Sequence, residues 1–403
     1  MTSDNTTRYI RCSEVYTPCR LLKNARIHFT DGIITRVEEG EEHSPQVYPS
    51  AQCIGDFQGL ICSPGFIDEH IQGAGGFDFL EADVAHNRDI LKTAGQGGCT
   101  EVIATITFSN ADRDLSGLHR VVEALRNASH DNQEGAALAG IHLEGPYISP
   151  SRKGGFGIEY IREINMGEFR KVREIIGNLF RLVTLAPELI DADNLLDNAR
   201  AHGVNVSVGH TSATYEQAAA FFERGANHMT HTFNAMAGLH HREPAAITAA
   251  LINTNVFCEV IADGIHLHPG ILRLLYHIKG AERLILITDS TAPCGLPEGE
   301  EFKGVGGVIK AMDGAVRLPD GTLAGSSLMM SKAVQNMHRL AGIPLGDVLQ
   351  MATLTPARAL GLELSGEIDE GKSANFVILD RNLDVRHVIR DGNIIYSSQQ
   401  SRL

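Results

Sequence analysis

Eight apolar β-type runs alternate with helical patterns through the middle of this chain, and that alternation constrains its fold more than any other feature. The runs occupy 61–71, 99–107 (CTEVIATIT), 138–144 (LAGIHLE), 180–187 (FRLVTLAP), 204–210 (VNVSVGH), 228–233, 257–265 and 283–289 (RLILITD). Apolar residues at helical spacing predict helices over 118–128, 166–176, 192–202, 215–224, 244–254 and 269–279. Strands that alternate with helices belong to α/β architecture, and eight such units match a (β/α)8 barrel, which takes about 250 residues.

The flanks have a different texture. Residues 1–60 hold short β-type pieces at 8–12, 25–29 and 33–37, separated by turns such as Thr30-Asp31-Gly32. Residues 366–396 read alike, with GEIDEGKSANFVILD followed by VRHVIRDGNIIY. Each piece is too small to bury a core alone. The expectation is one small β-sandwich built from both termini, with the barrel inserted between them. Its parts are 1–62 and 363–403, and the barrel is 63–362. Two excursions, 145–162 and 291–325, follow the third and eighth runs and are candidate substrate loops; the second contains an expected hairpin at 307–323.

Composition removes several classes of function. With 43% hydrophobic and 21% charged residues, the 403-residue chain is a folded globular protein. Its net charge of -14 argues against nucleic acid or an anionic membrane as the main partner. No run of about 18 apolar residues is present, so no membrane span is expected. The start of the chain is polar and lacks a signal-peptide core. The seven cysteines are odd in number and include no Cys-x-x-Cys. A cytoplasmic protein with free thiols is the expectation.

Barrels of this kind carry their chemistry at the C-terminal strand ends. Here the ends are His70, Thr107, Glu144, Glu188, His210, His231, His266 and Asp289. Two histidines and one carboxylate, His210, His231 and Glu144, make a divalent-metal site that leaves a position open for water. Zinc suits these ligands, as do iron, cobalt and manganese. Asp289 can take a proton from a bound water and return it to a leaving group; its other reading is a turn or capping residue. His228 precedes His231 by three residues, faces the opposite way on a strand, and is read as structural. Asn234, Arg242 and His266 are the remaining polar candidates, and an Arg with a His suits a phosphate. His268, before Pro269, is read as a helix-start residue. The glycines at 73, 75–76 and 304–307 do not form a nucleotide-binding fingerprint, and no Gly-x-Ser-x-Gly elbow occurs.

Taken in order, PGFID (64–68), HLEGP (142–146), VGHTSATY (208–215), HTFNAM (231–236), REP (242–244), DGIH (263–266), TDSTAP (288–293), LAGS (323–326) and the closing GEIDEGKSANFVILD (366–380) resemble the amidohydrolase superfamily. Within it they resemble the N-acetylglucosamine-6-phosphate deacetylase family, over almost the full length. The resemblance implies a metal-dependent barrel with a β-sandwich, usually a homodimer. It implies hydrolysis of N-acetyl-D-glucosamine 6-phosphate to D-glucosamine 6-phosphate and acetate. Carried over residue by residue, Glu144, His210 and His231 are the metal ligands and Asp289 is the catalytic acid/base. Asn234, Ala235, Arg242, His266, Leu323 and Ala324 bind the phosphorylated amino sugar, with Arg242 serving its own or the neighbouring subunit's site. His266 also steadies the charge that forms on the carbonyl oxygen.

The chain departs from the His-x-His form of the pattern at His70-Ile71-Gln72, because an amide is a poor zinc ligand. One ion per subunit is therefore expected. His70 and Gln72 remain candidates either for a second ion's site or for contacts that support the first. The superfamily's carboxylated lysine has no counterpart, since the fourth end reads Ala186-Pro187-Glu188. Glu144 takes over as the acidic ligand. The alternatives are the galacto epimer of the same substrate, a cyclic-amide hydrolase, and a non-catalytic scaffold on this fold.

Overall fold

A computed structural model describes residues 6–17, 20–40, 51–130 and 132–398. The expected (β/α)8 barrel is its centre. The parallel strands are, in order around the sheet, Phe66–Ile71, Cys99–Ile106, Ala137–Glu144, Phe180–Leu185, Asn205–Val208, His228–Met229, Phe257–Ile261 and Leu284–Ile287. The last strand meets the first through a bridge between Ile71 and Ser290, and Asp289 N donates to His70 O at 2.8 Å. The seam of the barrel thus falls beside two strand-end candidates.

Helices Met166–Ile176, Tyr215–Arg224 and Pro269–Lys279 run between the bounds that apolar spacing predicts. Each has a start signal with a physical cause. Asn165 accepts from Glu168 N, Thr214 and Gln217 form a reciprocal capping box, and Pro269 opens the third helix. Their apolar stripes, such as Phe169, Val172 and Ile176, are buried. Val84–Gln96, Met330–Arg339, Leu345–Met351 and Leu354–Leu360 are helices beyond the predicted set.

The barrel interior is polar in part. Hydrogen bonds run from Thr105 to His142 (3.2 Å), His142 to Thr184 (2.8 Å), Thr184 to Thr230 (2.7 Å) and Thr230 to Ser207 (2.6 Å). Burial pushes the His142 imidazole down to about 3, so it is neutral. This network ties together the strands that carry Glu144, His210 and His231.

Three strand expectations need correction: the run 257–265 is strand only over Phe257–Ile261, so His266 lies five residues beyond its strand, and two others change more. The run 61–71 is divided at Gly65, where a Cβ would lie 2.1 Å from Thr100 Oγ1. Residues before that close approach end Gln52–Pro64, a strand of the terminal sheet, and only Phe66–Ile71 enters the barrel. The run 228–233 is strand only over His228–Met229; the chain then turns, with φ of +26° at His231. His228 is buried, with its Nδ1 2.9 Å from Asn227 Oδ1.

The termini share a seven-stranded sheet. Its order is Asn393–Ser397, Val385–Arg390, Phe376–Leu379, Gln52–Pro64, Arg8–Tyr16, Leu21–Thr30 and Ile33–Glu38. Phe376 pairs with Pro64, so the chain enters and leaves the barrel on neighbouring strands. The far edge folds back, with Ile34 N donating to Lys372 O and Ala374 N to Gly32 O. That fold encloses a separate core of Ile10, Ile27, Phe29, Phe376 and Ile378, giving the expected sandwich. The later excursion carries three strands, Glu301–Gly304, Gly307–Met312 and Ala315–Arg317, one more than a hairpin.

No helix among the described residues is long and apolar enough to cross a membrane. The six described cysteines are free, and Cys19 lies outside the described residues.

Candidate metal centre and active site

Glu144 is the last residue of its strand, and His210, His231 and Asp289 each lie two residues beyond theirs. These three residues have positive φ, +47°, +26° and +47°. Such backbone costs about 1–3 kcal/mol per residue and concentrates at functional sites. Here it turns each side chain over the mouth of the barrel.

The side chains converge. His210 Nε2 and His231 Nε2 are 3.0 Å apart, and lie 3.2 and 3.1 Å from Glu144 Oε1. His210 Nδ1–H donates to Arg152 O at 2.9 Å, which leaves Nε2 with a lone pair. Three ligand atoms of this kind around one point fit a divalent cation.

A second group, His70, Glu144 and Asp289, shares Glu144. Its character is different. Gln72 Nε2 donates to Glu144 Oε2 at 3.2 Å and to Asp289 Oδ1 at 3.1 Å, so an amide lies between the two carboxylates. His70 Nε2 is 3.3 Å from each of the same oxygens, while its Nδ1–H donates to Glu259 Oε2 at 2.9 Å. Burial disfavours a charged His70, but the three carboxylates around it outweigh burial and hold its pKa well above the ordinary value. Burial also pushes the Asp289 carboxyl up, as suits a group that gains and loses a proton.

Gln72, Glu144, His210, His231 and Asp289 floor a cavity of about 270 Å³, and Asn234, Ala235, His266, Leu323 and Ala324 line its walls. His266 Nδ1–H donates to Asp263 Oδ2 at 2.6 Å, leaving Nε2 to the cavity. Burial raises the Asp263 carboxyl, but the hydrogen bond and charge of His266 and the backbone N–H groups of Ile265 and His266 outweigh it and keep the group ionised. Arg242 is placed elsewhere. It is exposed on its loop, with Nη1 2.7 Å from His241 Nε2, outside the cavity of its own chain.

Other strand-end residues have supporting contacts. Glu188 accepts from Thr211 Oγ1 (2.5 Å) and Ser212 N (2.6 Å), fixing the turn after His210. His268 caps its helix by accepting from Gly270 N at 3.1 Å.

Two partners escaped the strand-end count. Glu259, which also accepts from His231 N at 3.0 Å, lies inside its strand rather than at the end. Asp263 stands in DGIH, where its three-residue spacing from His266 was the available signal. Gly154, Gly155, Gly304 and Gly306 wall the cavity, together with Val305. A Cβ on Gly154 would lie 3.2 Å from His210 Cε1, tighter than an ordinary contact, and the backbone there has a φ of +57°, so a side chain would press on the histidine from a strained position.

The amidohydrolase family pattern matches residues 61–395. The N-acetylgalactosamine-6-phosphate deacetylase of Escherichia coli O157:H7 is 31% identical over 389 residues, 96% of this chain and 99% of that protein. The N-acetylglucosamine-6-phosphate deacetylase of Bacillus subtilis is 33% identical over 392 residues, 96% of each. A solved structure of a mutant N-acetyl-D-glucosamine-6-phosphate deacetylase from Mycobacterium smegmatis, in complex with N-acetyl-D-glucosamine 6-phosphate, superposes with a TM-score of 0.87 at 30% identity, covering 97% of this chain and 100% of that one. With this match over most of its length, and with these side chains gathered at the mouth of its barrel, the chain belongs to the amidohydrolase family.

Proposed function

We propose that the protein hydrolyses N-acetyl-D-glucosamine 6-phosphate to D-glucosamine 6-phosphate and acetate, in amino-sugar breakdown or recycling in the cytoplasm. The observation that carries this reading is one carboxylate, Asp289, beside a three-ligand cluster on the floor of a single cavity. Glu144, His210 and His231 would hold one divalent ion per chain, zinc in the first instance. Such an ion supplies Lewis acidity, polarising the acetamide carbonyl and acidifying a water.

The protein's own groups do the rest. Asp289 accepts the proton of the attacking water at its carboxylate. It then delivers that proton to the leaving nitrogen as the C–N bond breaks. Gln72 holds Asp289 Oδ1 in place for both transfers. His266, anchored by Asp263, presents Nε2 to negative charge on the substrate. Asn234, Ala235, Leu323 and Ala324 shape the sugar's seat. Arg242, exposed outside its own cavity, would reach the phosphate in the partner of a homodimer.

The N-acetylgalactosamine epimer is a second reading, favoured by the likeness to the Escherichia coli protein. The test measures acetate release from both sugar phosphates and from unphosphorylated N-acetylglucosamine, with one defined metal. The expected result is a strong preference for a phosphorylated substrate. Equal kcat/KM with and without phosphate would overturn the roles of Arg242 and His266.

A further inference from the structure

Two histidines approach Glu144 Oε1, and they are held in different ways. His210 is anchored through its ring, because Nδ1–H donates to Arg152 O at 2.9 Å. A metal-binding histidine is ordinarily fixed like this, through its second nitrogen. His231 is not. Its Nδ1 is buried without a hydrogen-bond partner among the described residues. Its backbone has a φ of +26°, a conformation that persists only where the surroundings hold it. The direction of its Nε2 therefore has to be set from the main chain.

Glu259 grips that main chain. It lies inside the strand Phe257–Ile261 and is wholly buried. Its Oε2 accepts from His231 N at 3.0 Å, and its backbone carbonyl accepts from Thr232 N at 2.9 Å. Two successive N–H groups of the turn thus end on one residue. The same Oε2 accepts from His70 Nδ1–H at 2.9 Å. That contact aims His70 Nε2 at Glu144 Oε2 and Asp289 Oδ1, 3.3 Å from each. The other oxygen, Oε1, has no hydrogen-bond partner among the described residues. One oxygen does all the holding, so its reach from the strand is what the turn depends on.

We infer that Glu259 is a positioning residue, whose Oε2 sets the turn at His231 in place of a ring anchor and ties His70 to that turn. The inference rests on the metal site proposed above.

The test separates reach from charge, on the full chain. Glu259→Asp keeps the carboxylate but is one methylene shorter, so its oxygens fall short of both donors. Glu259→Gln loses the charge but can present its carbonyl oxygen where Oε2 lies, with the NH2 in the unpartnered place of Oε1. Zinc affinity is measured by competition with a chelator, and kcat and KM for N-acetyl-D-glucosamine 6-phosphate at saturating zinc. Glu259→Asp should weaken zinc binding by about 10- to 100-fold and lower kcat about tenfold, with KM little changed. Glu259→Gln should keep both zinc affinity and kcat within about threefold of the wild type. A role in packing alone would lower the melting temperature of the metal-free protein in both variants and leave zinc affinity alike in the two, overturning the inference. So would a loss of zinc affinity in Glu259→Gln, whether equal to that of Glu259→Asp or larger, since charge would then be the requirement. Wild-type protein that binds zinc but releases no acetate would overturn the deacetylase reading alone, because zinc affinity is read without substrate. Wild-type protein that binds no zinc would overturn both.

Discussion

The two oxygens of Glu144 face unlike neighbours. Oε1 meets two imidazole nitrogens, His210 Nε2 and His231 Nε2, and no protonated amide comes between them. Oε2 meets the Gln72 amide and the imidazole of His70, whose pKa three carboxylates raise. One side gathers two imidazole nitrogens and a carboxylate oxygen around one point, a set that fits a cation from outside. The other already balances its carboxylates with hydrogens the chain supplies. A single carboxylate can therefore act as a metal ligand on one edge and as part of a proton-holding network on the other. The difference lies in what the facing side chains donate, not in how many titratable groups are present.

The strongest way to break this comparison is Glu144→Gln. It removes the shared negative charge from both sides. Bound metal, measured on the purified protein, should fall from about one ion per chain to none, and kcat/KM should drop by at least on the order of 10⁴. Retention of stoichiometric metal would show that the two histidines suffice without the carboxylate. Asp289→Asn should divide the two sides instead. The amide keeps Oδ1 for Gln72 but cannot shuttle a proton. Metal content should stay near one per chain while kcat falls by about 10²–10⁴. Near wild-type turnover with metal bound would remove Asp289 from the proton path.

Asp263→Asn leaves both sides of Glu144 intact and tests the cavity wall. Asn Oδ1 can still accept from Ile265 N and His266 N, both 2.8 Å away in the wild type. An amide NH2 facing His266 Nδ1–H cannot accept, so the ring loses its orientation. KM for the phosphorylated substrate should rise by about 10- to 100-fold, with metal content unchanged. An equal rise for the unphosphorylated sugar would mean that His266 does not recognise the phosphate.

Much of this arrangement was legible in the sequence because it rests on periodicity and strong local signals. The barrel strands are nearly continuous apolar runs, such as Leu284–Ile287, and the capped helices stop where their stripes stop. Glu144, His210, His231 and Asp289 follow such runs, so counting strand ends locates them. The N-terminal part of Gln52–Pro64 did not register as a strand, because its first residues are largely exposed and its apolar pattern begins late. Nor do non-glycine residues advertise a positive φ, so the turns at His210, His231 and Asp289 emerge only from the fold. The orientation of the Gln72 amide was equally hidden. Its identity argued against a ligand, but its position as a double donor depends on two carboxylates 72 and 217 residues away.

Gln72→His is the substitution with the smallest expected effect on rate and the sharpest bearing on the comparison. It replaces an amide donor by an imidazole that can offer a lone pair between Glu144 Oε2 and Asp289 Oδ1. The side that now supplies an amide donor would then resemble the side that gathers two imidazoles around Glu144. Metal content should rise from one toward two ions per chain at saturating metal, while kcat/KM changes by no more than about tenfold. His70 must give up its proton for this to happen, so filling of the second site should release protons into a weakly buffered solution. If the variant still binds one ion, the amide is not what keeps the second out. The charge that Glu259 stabilises on His70 would then be the remaining barrier, and a second substitution, Glu259→Gln, made together with Gln72→His, should lift it.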